Sequence, residues 1–166
     1  MKLQLKPQRW MCLPTAFAMT LDTSIADLLL AVGHDGGEII FPGLDEPFCR
    51  RGFHIQELID VAVARGFAVT PIELCPVLQP TEDSMLRHTV AYREGNWRRF
   101  ANTIARSRGV IDGMGFRCGH SVAYDHGRIF DPDGPVYDYS RLACETHRFY
   151  TRCAWRIDPM EAGICA

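Results

Sequence analysis

Three residues far apart in the chain have the types that acyl transfer requires. They are Cys12 in QRWMCLPTAFAM (8–19), and His120 and Asp131 in GHSVAYDHGRIFDP (119–132). A cysteine attacks as its thiolate. It needs a base to take the proton, and the base needs a group that fixes its tautomer. Cys12 opens an apolar helical pattern, so it is expected at a helix N-terminus. Free N–H groups and the helix dipole stabilise a negative sulfur there. Gln8, four residues upstream, offers a side-chain amide to the oxyanion that forms during acyl transfer, and Gln4 is an alternative. Each residue alone also has an ordinary structural reading: an inert buried thiol, a strand histidine, the acid of a turn, a surface amide. What would set these residues apart is their meeting in space.

The elements that must bring them together are legible in outline. A helix is predicted from near Cys12 to near Leu21, with Pro14 in its first turn. Asp125-His126-Gly127-Arg128 reads as a tight hairpin turn. With His126 and Gly127 as the loop, Asp125 faces Arg128 and Val122 faces Asp131. Alternation then puts Asp131 on the face of His120, one diagonal step away, and Asp133 directly opposite as the alternative orienter. Ser24 and Gly33 bracket a second helix whose apolar stripe is Ile25, Leu28, Leu29 and Val32. A third runs from about Ile55 to Arg65, and a fourth from Trp97 to about Arg106 with Asn96 as its cap. Strands are expected at Phe67–Glu73, Gly109–Asp112, His120–Tyr124, Arg128–Asp131 and Phe149–Ile157. His34–Phe53 is irregular, and a connection of that length is expected to shape the entrance to a site. Helices first and antiparallel strands afterwards give an α+β domain over residues 1–166, with a frayed tail at 158–166.

Composition narrows the function classes. The 166 residues are 47% apolar and 23% charged, an ordinary globular balance with room for one core. The net charge of -2 argues against nucleic acid and anionic membrane as partners. Arg98, Arg99, Arg106 and Arg108 are read as a solvated helix face. The seven cysteines are odd in number and form no C-x-x-C pair. They read as reduced thiols, which together with a polar N-terminal stretch predicts a cytoplasmic protein. Cys49, Cys118 and Cys144 lie near His54, His120 and His147 in sequence without forming a zinc knuckle, so neither metal nor cofactor is expected. The glycines at 33–37 match no phosphate-binding fingerprint. Trp10 and Phe116 fit either a cleft wall or the core.

The two blocks QRWMCLPTAFAM and GHSVAYDHGRIFDP together resemble the papain-like cysteine peptidases, and among them the bacteriocin-processing, C39-like group. Leu13 stands where that group has glycine, and the Gln-to-Cys and His-to-Asp spacings are shorter. The resemblance implies a papain-like fold with the nucleophile at a helix N-terminus packed on a C-terminal antiparallel sheet. It implies Cys12 as nucleophile, His120 as base, Asp131 as orienter and Gln8 as oxyanion donor, acting on a peptide or protein substrate. An amidase, transglutaminase-like enzyme or acyltransferase on the same scaffold shares this chemistry, and a non-catalytic binding module would keep the scaffold alone. Small size and the block GHDGGEIIFPGLDEPF are similar to small bacterial or phage-encoded proteins.

Overall fold

The computed structural model describes residues 1–74, 77–80, 88–115 and 118–160; the side chains of 77–80 and 88–91 are outside that description, as is Phe116. In chain order the elements are α1 (Cys12–Thr20), α2 (Ile25–Val32), α3 (Ile55–Ala64), β1 (Phe67–Glu73), β2 (Val77–Pro80), β3 (His88–Ala91), α4 (Glu94–Ile104), β4 (Arg108–Met114), β5 (Gly119–Asp125), β6 (Arg128–Phe130), β7 (Val136–Asp138), α5 (Arg141–Thr146) and β8 (Tyr150–Pro159). A six-stranded antiparallel sheet has the order β1-β8-β4-β5-β6-β7, and β2 pairs with β3 apart from it.

Side-chain alternation along the central strands feeds two cores, one on each face of the sheet. Val110, Ala123 and Ile157 join α1, α2 and α3 on one face. Ile111, Val122, Tyr124 and Ala154 join α4 and α5 on the other. Burial on both faces explains why Val110-Ile111 in β4 and Val122-Ala123-Tyr124 in β5 are apolar without alternation. The innermost helix is α1: Ala16, Phe17 and Ala18 have no exposed surface. Small residues on either side of Phe17 let the helix pack closely against β5.

Local chemistry accounts for most boundaries. The Ser24 hydroxyl accepts from Asp27 N–H, and Gly33 closes α2 in the left-handed region at φ 87°. His54 caps α3 and Glu57 completes a capping box. His126 at φ 50° and Gly127 at φ 83° make the turn, and β5 and β6 pair as Asp125↔Arg128, Tyr124↔Ile129 and Ala123↔Phe130. That is the register expected from the turn.

Other boundaries differ from expectation. α4 begins at Glu94 with Arg93 as N-cap, so Asn96 lies inside it; Glu94 in its first turn suits the dipole. β6 stops at Phe130, because Pro132 has no N–H for the ladder and Asp131 instead pairs with Pro135 across a turn, N to O 2.9 Å. Asp158 and Pro159, expected in a frayed tail, extend β8 opposite β1, with Pro159 facing Phe67; residues 161–166 lie outside the described residues. The strands β2, β3 and β7 and the helix α5 were not anticipated.

Candidate active site

α1 presents Cys12 as its first helical residue. Its N-cap is Met11, which makes no side-chain capping bond. Serine or aspartate there would occupy first-turn N–H groups; methionine leaves them to the site. β5 presents His120 one residue inside its start. The turn 131–135 after β6 presents Asp131, held by Gly134 N–H donating to the Asp131 carbonyl at 2.8 Å.

These three groups meet. His120 Nε2 lies 2.8 Å from Asp131 Oδ1. That commits one ring nitrogen to the carboxylate and leaves Nδ1 free of it; the Cys12 thiol opens on the same cleft, and thiol and ring shift each other's pKa. Asp133 stands farther off, its Oδ2 3.9 Å from Nε2, and is 52% exposed against 8% for Asp131. Its carboxylate is tied to Lys6 Nζ at 2.6 Å. Asp131 is therefore the carboxylate paired with the ring. The Phe149 ring meets His120 edge-on, centroids 5.8 Å apart at 88°.

The electrostatics make one coupled unit. Burial pushes the Cys12 thiol up, but the His120 hydrogen bond and charge, the Ser121 backbone N–H and the Lys6 ammonium outweigh it, and the thiol falls below its ordinary 9.0. Burial pushes His120 down, yet hydrogen bonds to Asp131 and Cys12 and their charges lift it to about 10. Burial likewise raises Asp131, and His120 together with the Asp133 N–H brings it below 3.8. The arrangement favours thiolate beside imidazolium at neutral pH.

A cleft of about 540 Å³ opens on these groups; Cys12, His120 and Asp131 line it together with Lys6, Arg9 and Pro47. Gln8 is exposed on the turn before α1 and does not line the cleft; its carbonyl accepts from Met11 N–H at 3.0 Å. Gln4 is committed elsewhere: its amide donates to the Thr23 carbonyl at 2.7 Å and accepts from Ile25 N–H at 3.1 Å. It staples the N-terminal segment to α2. Trp10 ties the 35–50 loop to the turn before Cys12, donating to the Asp35 carbonyl at 3.0 Å while the Arg50 guanidinium lies 4.6 Å over its ring.

Sequence reasoning missed Lys6, the Ser121 N–H and Phe149. Lys6 is the plainest case: its N–H donates to the Pro132 carbonyl at 3.0 Å, so it stitches the N-terminal segment to the carboxylate's turn. No pattern near Lys6 signals that contact, which spans most of the chain. Among the described residues, His120, Asp131 and Asp133 also form a group with metal-ligand spacing; the ring-to-carboxylate bond accounts for it without an ion.

No protein-family model matches the chain, and no curated protein sequence matches it. Solved structures do match. One is the crystal structure of a double glycine motif protease from an AMS/PCAT transporter in complex with the leader peptide. Its TM-score is 0.52 at 12% identity, over 96% of this chain and 91% of that one. The fold is papain-like. At that identity the likeness is one of architecture, similar to a C39 peptidase domain across nearly the whole length of both chains. No single helix among the described residues is long and apolar enough to cross a membrane.

Proposed function

We propose that the chain is a cysteine peptidase, hydrolysing a peptide bond through an acyl-enzyme on Cys12. The observation that carries this reading is an imidazole bonded to a buried carboxylate, lining one cleft with a thiol whose pKa it lowers. The leader peptide bound to the structural neighbour supports a peptide as the substrate class.

In this mechanism the thiolate attacks the scissile carbonyl carbon while imidazolium waits beside it. Negative charge builds on the carbonyl oxygen. The Cys12 N–H, in the unpaired first turn of α1, is one donor to it. The resemblance makes Gln8 the second; its amide, exposed and outside the cleft lining, must turn toward the sulfur to reach that oxygen. His120 gives its proton to the leaving amine, and the thioester forms. The neutral ring then takes a proton from water, hydroxide attacks the thioester, and the carboxylic acid leaves with the thiolate restored. Asp131 holds the ring's tautomer throughout. The apolar 36–50 loop, whose Pro47 reaches the cleft, borders the substrate's path.

The test is incubation with a diverse peptide mixture in ¹⁸O-labelled water. New carboxyl termini carrying the label, made by the native chain and not by Cys12→Ala, are the expected result. New amide links to an added amine, without labelled acids, would make it an acyltransferase instead. Products made equally by both chains would remove Cys12 from the chemistry.

A further inference from the structure

A second site lies on the opposite side of the sheet from α1. Arg98 and Arg99 of α4 and Arg106 just past its end, read from sequence as part of a solvated helix face, are joined there by Arg156 of β8, fifty residues beyond Arg106. The resulting groove holds about 560 Å³. Along it, Arg98 and Asn102 stand four apart on the helix, Arg99 stands on the adjoining ridge, and Arg106 follows in the turn after α4.

Two of the four guanidinium groups are already fixed. Arg99 Nη2 donates to the Glu73 carbonyl at 3.0 Å, and Arg156 Nε donates to Asp158 Oδ2 at 2.6 Å. Arg98 and Arg106 have no hydrogen-bond or ion-pair partner among the described residues. No carboxylate lines the groove among those residues. Four like charges gathered along one concavity, in a chain of net charge -2, make a local positive field that a complementary anion would relieve. Planar guanidinium forks match carboxylate and phosphate geometry.

We propose that this groove binds an acidic peptide segment in extended form. The helix beside it is about 16 Å long by its rise per residue, which an extended chain spans in roughly five residues. A single-stranded nucleic acid fits less well, because none of the lining residues is aromatic and bases would find no face to stack on. The site is independent of Cys12, so it stands whether the bound segment belongs to a substrate or to a partner.

The experiment is fluorescence anisotropy of a labelled hexaglutamate peptide with the full chain. Hexaglutamine and a six-nucleotide oligothymidylate serve as comparators. Binding of hexaglutamate that weakens as salt rises is expected, with hexaglutamine silent. Arg98→Glu with Arg106→Glu should weaken it by about tenfold or more, since two attractions become repulsions. Both side chains are exposed, so melting should not change, and Arg98→Lys with Arg106→Lys should restore most of the binding. Equal binding by the charge-reversed and native chains would overturn the proposal. So would binding of the oligonucleotide alone, or no binding of hexaglutamate at low salt.

Discussion

At the scale of residues, the thiol, ring and carboxylate have shifted from ordinary behaviour together, and pH reads the shift. Cys12 lies below 9.0 because His120, Ser121 N–H and Lys6 outweigh its burial. Alkylation by iodoacetamide, followed by mass spectrometry, should therefore select Cys12 at neutral pH. Cys144 and Cys153, which burial pushes up to about 12 and about 11, should lag far behind. His120, raised from 6.5 to about 10, contributes stability that is full below 6.5 and fades as pH rises through about 10. Asp131, held below 3.8, contributes stability present above that value and lost as pH falls through its folded pKa. Asp131→Asn removes a leading support of the ring's raised pKa. Its melting temperature should fall in neutral solution, and its alkaline loss should begin at lower pH than in the native chain. Gln8→Ala separates binding from chemistry: kcat should drop roughly 10²-fold with KM little changed, as for loss of one oxyanion donor.

At the scale of elements, local signals were the readable ones. Ser24 and Gly33 bracket α2 through bonds within a few residues, and His126-Gly127 sets the register of β5 against β6 through backbone dihedrals. Cys12, His120 and Asp131 were legible for the same reason: helix start and hairpin place them. The choice of Asp131 over Asp133 was not decided by pattern, since it turns on β6 ending at Phe130 ahead of Pro132 and on Lys6 drawing Asp133 away. β7, of three residues, forms against β6 and carries too short a pattern to stand alone. The α5 cap at Ser140 was a usable signal that went unread. The 36–50 loop inverts the usual arrangement. Its polar groups bond inward, with Arg50 reaching Glu46 and the Gly37 carbonyl, while Ile39, Phe41, Leu44 and Phe48 are each more than half exposed. Clustered apolar exposure beside a cleft marks a binding surface. Leu44→Ser with Phe48→Ser should raise KM for a good peptide substrate by about tenfold, from the apolar contact removed. Melting should hold, because neither side chain supports the core.

At the scale of the whole molecule, the sheet order joins the first strand to the last, and no local pattern announces that pairing. β1 leaves the helical half to pair with β8, and β8 then pairs with β4. Such long-range pairing is set by burial on two faces rather than by any local cue. One glycine records it. A Cβ at Gly109 would run into the Trp155 carbonyl of β8, so Gly109→Ala should destabilise the chain by about 3 kcal/mol, measured by urea unfolding. The stitch at Lys6 carries a different consequence. The sulfur rides on the most deeply embedded helix, whereas its carboxylate partner hangs from a short surface turn pinned to the opening segment of the chain. Lys6→Glu should loosen that pin without melting the domain. The same change puts a carboxylate where an ammonium favours the Cys12 thiolate, so the outcome would be a folded protein throttled on two counts, a slackened partner turn and a less acidic thiol.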